Sequence, residues 1–493
     1  MTITPEIKKA EILNAIQVSA KNAVECKLSI TEEEVSSIIF VNARATLENT
    51  DCGNGEIRYG GKVTFYALLS SGGMKKCEAG VEFSYRQEVK DLKEGDIFVG
   101  EIVAENVKVI TSNGIPTASA MLTLTGSAFK REYADYVKEL EGVNVKKTQA
   151  ENLSLVACDL KEFDLEEEFD VDYPVNEVVW HGETLKVKSV SSGIGSVSIE
   201  GEAEVSALLL LDDGKTEYFR KTIPFNFDNE LKFAMPDLVA TCKASVSDSN
   251  IKVVVDRTKG KSSVQIILKV CARTCLYENE IITFVSDAYS EEDYLSVEKT
   301  PVKINKTLGE SVIEKRVIGG EVSKFEKSTL LICPIFAKIE ESVVVLENSS
   351  AKVRGVCRVG ALVSSDGAHA VESALVPFEV ELGESCSQIS LLRCEVLDVD
   401  FTLTNNSLTV DFSVIVAIEK TSCITHSFVI NAERLEKRVK SNSAISVFVP
   451  NKGDTLWDVA KSLGVKEEEI LKTNKDLIFP LSGEERIVIY NEL

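Results

Sequence analysis

The residues best able to do chemistry in this 493-residue chain are three histidines and twelve cysteines, and their spacing gives no catalytic pattern. His181 lies in "VVWHGETL", His369 beside a turn and His426 in a strand-like run, each read as a structural or surface position. No HExxH, GxSxG, phosphate-binding loop or dinucleotide fingerprint occurs. There is no CxxC; the nearest cysteine pair is Cys271 and Cys275. Cys158, Cys242, Cys271, Cys333 and Cys357 fall inside apolar strand patterns and read as reduced, buried small hydrophobes. A secreted disulfide framework would be shorter and denser in cysteine. The acidic run "DLKEFDLEEEFD" (159–170) lacks the histidine or turn glycine of a metal site, so it reads as a charged strand edge. The expectation is a non-enzymatic protein with no catalytic residue, metal or cofactor.

Fifty-five basic against 78 acidic residues leave a formal charge of −23. Such a surface repels nucleic acid and anionic membranes and leaves basic proteins, cations or neutral glycans as partners. No apolar run reaches the roughly 18 residues of a membrane helix. The opening "MTITPEIKKAEILNAIQ" lacks a basic segment leading into a continuous apolar one. These features predict a protein that does not span a membrane and stays in the cytoplasm.

The elements that would position any site repeat three times. "IRYGGKVTFYALLSSGG", "VSIEGEAEVSALLLLDDG" and "AKVRGVCRVGALVSSDG" align on Gly61, Gly201 and Gly355. Ala67-Leu68, Ala207-Leu208 and Ala361-Leu362 follow at one spacing, then a turn with Gly73, Gly214 or Gly367, then Phe83, Phe225 or Phe378. Alternation with period two around a glycine turn predicts a β-hairpin, and a glycine within a strand predicts a bulge or a close backbone approach. Further strands follow each hairpin, so each repeat reads as an all-β sandwich or barrel. No flexible linker composition appears, which predicts close packing in an elongated array. The fold class is mainly β: three tandem all-β domains at 1–150, 151–295 and 296–435, then a small α+β module at 444–493.

In that module "ISVFVP" and "ERIVIY" read as strands flanking two short helices. Asp454 and Thr455 cap the first, which places Leu456, Val459, Ala460 and Leu463 on one face and stops at Gly464. The second helix, "KEEEILKTN", has early acids and a late lysine, with Ile470 and Leu471 as apolar anchors. Trp457 reads as a partly exposed packing residue. The second helix opens with three glutamates, which excludes a DNA-reading role.

The glycine–Ala-Leu hairpin, the "PF" strand starts and "DAYS" (287–290) together resemble the SPOCS repeat of clostridial sporulation proteins over residues 20–435. The C-terminal module resembles LysM through Gly453-Asp454-Thr455-Leu456-Trp457, Ala460, Val465, Ile470, Asn474, Pro480, Gly483 and Ile487-Val488-Ile489. It departs from the LysM pattern at Pro450, three residues before the loop glycine. The resemblance implies a shallow groove for N-acetylglucosamine chains or a protein partner, walled by Gly453, Asp454, Thr455, Leu456 and Trp457 and by Asn474, Asp476, Leu477, Ile478, Phe479 and Pro480. The combined order is similar to the SipL-like family of spore-coat morphogenetic proteins. That family implies a place in the mother-cell cytoplasm at the forespore surface. It also implies a LysM module docking on a SpoIVA-like coat ATPase, with other coat proteins as partners. Peptidoglycan binding in the cortex or wall is the alternative, and edge-to-edge self-assembly a third reading.

Overall fold

Long runs of alternating apolar and polar residues, rich in Val, Ile, Thr and aromatics, make strands that bury one face and wet the other. A computed structural model describes residues 3–70, 73–112, 114–256, 261–347, 350–384, 388–439 and 443–490. The first unit holds β1 (Thr4–Lys27), β2 (Ile38–Gly53), β3 (Glu56–Ser70), β4 (Met74–Glu88), β5 (Ile97–Ser112) and β6 (Ile115–Glu141). The second holds β7 (Asn144–Val171), β8 (Val175–Ser192), β9 (Ser196–Leu211), β10 (Thr216–Glu230), β11 (Val239–Asp256) and β12 (Lys261–Tyr289). The third holds β13 (Asp293–Lys324), β14 (Thr329–Glu347), β15 (Ser350–Ser365), β16 (Ala368–Glu384), β17 (Gln388–Thr404) and β18 (Ser407–Lys437).

Each unit is a sandwich of two three-stranded antiparallel sheets with one connectivity. The first pairs β1-β6-β5 over β2-β3-β4, the second β7-β12-β11 over β8-β9-β10, and the third β13-β18-β17 over β14-β15-β16. Strand β7 runs unbroken through position 150, so pairing puts the first change of unit at the turn around Gly142, whose φ is 80°. The acidic run 159–170 lies on β7, which is an edge strand of its sheet.

The repeat landmarks of the sequence are cross-strand partners. Gly61 pairs with Phe83, Gly201 with Phe225 and Gly355 with Phe378. A Cβ at Gly201 would stand 2.4 Å from the Phe225 ring, and one at Gly355 would stand 2.3 Å from the Phe378 ring. The ring therefore covers the space that a side chain would fill, and the facing strand bulges alongside between Leu47 and Asn49 and between Val187 and Ser189.

The three units do not form an elongated array; they close around a shared centre. Leu68, Leu208 and Leu362 of the Ala-Leu pairs are buried in one apolar cluster with Met74, Val179 and Ile335. Burying such a leucine contributes about 1.5–3 kcal/mol. The outer halves of the long ribbons β1/β6, β7/β12 and β13/β18 meet in a second cluster, where Tyr136 and Phe284 both pack on Phe428 with ring centroids 5.7 and 4.3 Å away. Val137, Val285 and Val429 are buried together just beyond. First and third units touch directly, as the stacked Phe40–Phe336 pair at 5.3 Å shows. An array in line would leave these equivalent apolar positions in water.

The C-terminal module holds β19 (Ile445–Phe448), α1 (Leu456–Leu463), α2 (Glu467–Thr473) and β20 (Ile487–Tyr490), with β19 and β20 antiparallel. Its last three residues, 491–493, lie outside the described ones. No described helix is long and apolar enough to cross a membrane.

Candidate functional site

The two loops expected to wall a groove are neighbours in space. The Gly453 N–H donates to the Leu481 carbonyl at 2.8 Å, and the Leu481 N–H donates back to the Asp454 carbonyl at 2.9 Å. Gly453 has φ 94°, a conformation that suits glycine, and Asp454 closes its loop by accepting from the Asn451 N–H at 2.7 Å. Pro450, the departure from the LysM pattern, is buried just ahead of this loop.

Several expected groove residues turn out to be framework. Thr455 caps α1, its Oγ1 accepting from the Asp458 N–H while the Asp458 carboxylate accepts from the Thr455 N–H at 2.9 Å. A bond from the Thr455 hydroxyl to Asp458 Oδ2 at 2.6 Å, with the Thr455 N–H bond beside it, holds the Asp458 carboxyl below its ordinary pKa. Gly464 ends the helix in the left-handed conformation, with φ 65°. Asn474 joins α2 to β20: its amide donates to the Val488 carbonyl at 2.8 Å and accepts from the Val488 N–H at 2.9 Å. Ile470 is buried as expected, whereas Leu471 is 41% exposed because the short helix turns only one apolar position inward.

Trp457 is the main correction. It is 8% exposed and faces the body of the protein rather than an open groove. Its indole N–H donates to Asp287 Oδ2 at 2.9 Å, and its ring meets Tyr289 edge-on at 4.9 Å. Asp287 also takes Lys461 Nζ at 2.7 Å and Lys299 Nζ at 2.9 Å. Burial raises the Asp287 pKa, but the hydrogen bonds from Lys461, Trp457 and Lys299 outweigh it and hold it at about 2. The Tyr289 hydroxyl donates to the Val465 carbonyl at 2.7 Å. Arg438 covers the end of α1, donating to the carbonyls of Lys461 at 2.9 Å and Ser462 at 3.2 Å while its guanidinium lies over Tyr294. Thus "DAYS" is a socket for the module, and its Asp and Tyr do the holding.

What stays open is the loop 475–480. Ile478 is 82% exposed, Asp476 and Pro480 are exposed, and Leu477 and Phe479 are half-buried against the module's core. Beside the Gly453–Asp454 backbone this makes a shallow apolar shelf edged by peptide groups. Such a surface suits the face of a sugar ring with its acetamido group, or an apolar side chain of a protein.

Elsewhere a cavity of about 1070 Å³ opens where the three units meet. Several of its charged groups pair with one another. Buried Glu183 pairs with Arg44 and lies 2.6 Å from His181 Nδ1, and burial is overridden by Arg44 and His181 to hold its carboxyl at about 2. Arg358 pairs with Glu340. Among the described residues no group of three or more His, Cys, Asp and Glu side chains could hold a metal ion.

Comparison with protein-family models finds the LysM domain at residues 451–480. No curated protein matches the chain, and no solved structure does. The chain is a LysM-domain-containing protein with tandem all-β repeat units.

Proposed function

We propose that this protein is a non-enzymatic binding scaffold that presents its LysM groove to N-acetylglucosamine-containing glycan, as in peptidoglycan. One observation carries the reading: the two LysM loops are locked together by reciprocal backbone bonds and leave the 475–480 shelf open. A neutral glycan also suits a chain of charge −23, since it needs no basic surface. The full chain should be retained on purified peptidoglycan and displaced by soluble N-acetylglucosamine oligomers. Failure to bind either ligand would overturn the reading.

A second reading rests on Ile478, an apolar side chain far more exposed than a sugar shelf requires. Here the same loops dock a protein, and the resemblance to spore-coat proteins supplies the candidate. That candidate is a SpoIVA-like coat ATPase met at the forespore surface from the mother-cell side. Retention of such an ATPase by the full chain, without retention on peptidoglycan, would favour this reading over the first.

A further inference from the structure

Cys158 and Cys275 face each other directly across the β7–β12 pair. Their sulfurs are 3.0 Å apart, with Cys275 donating to Cys158. Directly opposed residues of an antiparallel pair have Cα atoms about 4.5–5.5 Å apart, inside the roughly 4.4–6.8 Å window of a disulfide. The residues next to the pair are irregular: a bulge between Leu276 and Tyr277 leaves Val156 unpaired, so the local backbone is not held by a perfect ladder. Both cysteines lie in an apolar cluster shared with Leu13, Val99 and Phe129 of the first unit. Arg273 lies beside them, reaching Thr50 Oγ1 and the Phe98 carbonyl across the junction.

From this placement we infer that Cys158 and Cys275 form a reversible disulfide, a thiol-exchange site that covalently staples β7 to β12 where the second unit packs on the first. The two sulfurs have unequal roles. Cys158 is half-buried and Cys275 is 2% exposed, so an incoming disulfide meets Cys158 first. The hydrogen bond from Cys275 lowers the Cys158 pKa, and the Arg273 guanidinium adds to it, while Cys275 as donor is raised. The reaction partner is a low-molecular-weight disulfide such as glutathione disulfide. The Cys158 thiolate attacks one of its sulfurs, forming a mixed disulfide and expelling one glutathione thiolate. Cys275 gives up its proton and attacks Cys158 Sγ, which breaks the mixed bond and expels the second glutathione. Two protein thiols are oxidised, one glutathione disulfide is reduced to two glutathione thiols, and the two protein protons end on those thiols.

The test uses the full chain, reduced and then equilibrated in mixtures of reduced and oxidised glutathione. Free thiols are trapped by acid quench and alkylation, and the digest is read by mass spectrometry. The expected result is a linked peptide pair carrying Cys158 and Cys275. It should form at an oxidised-to-reduced glutathione ratio at least about tenfold lower in the folded chain than in urea. Cys275→Ser should stop at a glutathione adduct on Cys158, and Cys158→Ser should leave Cys275 as an unmodified thiol. Absence of the linked pair from the folded wild-type chain would overturn the inference. So would its forming no more readily folded than unfolded, a comparison that does not depend on either variant folding.

Discussion

The LysM module has two surfaces, one sealed and one open. On one, Trp457, Lys461 and Val465 meet Asp287 and Tyr289, and every polar atom named there has a partner. On the other, Leu477, Ile478 and Phe479 line a loop with Ile478 left in water. An indole is the side chain most readily assigned to ligand contact, yet here it anchors the module to the rest of the chain. An isoleucine in an exposed loop is readily passed over, yet it is the free one. The difference teaches that residue type does not settle role; what settles it is whether a complementary group lies within reach, and that group was supplied 170 residues upstream.

Breaking the sealed surface should have the largest effect. Trp457→Ala removes a buried aromatic and should cost about 3–5 kcal/mol. A module this small has about that much stability in total. Hydrogen exchange should then show amide protection lost across 445–490 while the β units keep theirs. Retained protection there would refute the anchoring role. Asp287→Asn comes next, since it keeps an acceptor for the indole but discards the attraction of Lys461 and Lys299. With the side chain 14% exposed and screened from its open side, about 1–2 kcal/mol of docking should go. The pH dependence has a definite sign. The carboxyl is lowered from 3.8 to about 2 by folding, so its contribution is whole above about pH 4 and is lost as the pH falls towards 2. Protection of the module should fall over that interval in the wild-type chain and fall by a smaller step in Asp287→Asn, where Asp458 and Glu485 still titrate below their ordinary range.

Much of the fold was legible because it rests on local rules. Period-two alternation and glycine turns mark the hairpins, and the glycine within each strand pointed to the close approach that the register then explains. The βααβ order of the module followed from the Thr455 cap, the Gly464 stop and the flanking apolar strands. The closed arrangement of the units was harder to read, because it depends on which apolar faces find each other across long sequence separations. A signal was nevertheless present: the aromatic–Val pairs Tyr136-Val137, Phe284-Val285 and Phe428-Val429 recur once per repeat on the ribbon ends. The role of Asp287 and Tyr289 was hidden for a similar reason. The corresponding strands β6 and β18 carry Glu139 and Asn431 near that level, so the socket is a feature of one repeat and not of the pattern common to all three.

The smallest effect on stability, and the sharpest test of the open surface, belongs to Ile478→Asp. An exposed side chain that contributes little to the core should change folding by less than about 0.5 kcal/mol. Binding should respond differently. A carboxylate on the apolar shelf faces either the carbon face of a sugar or an apolar protein side chain, and both lose contact and gain a desolvation cost. Retention of the full chain on its ligand should fall at least about tenfold, which corresponds to 1.4 kcal/mol. The control is Glu468→Gln, an exposed change on α2 that removes charge without touching the shelf. If Ile478→Asp binds like wild type while Trp457→Ala does not, the sealed surface matters only by keeping the module folded and the ligand sits elsewhere on it. If both fail but only Trp457→Ala unfolds, the division of labour between anchor and shelf stands.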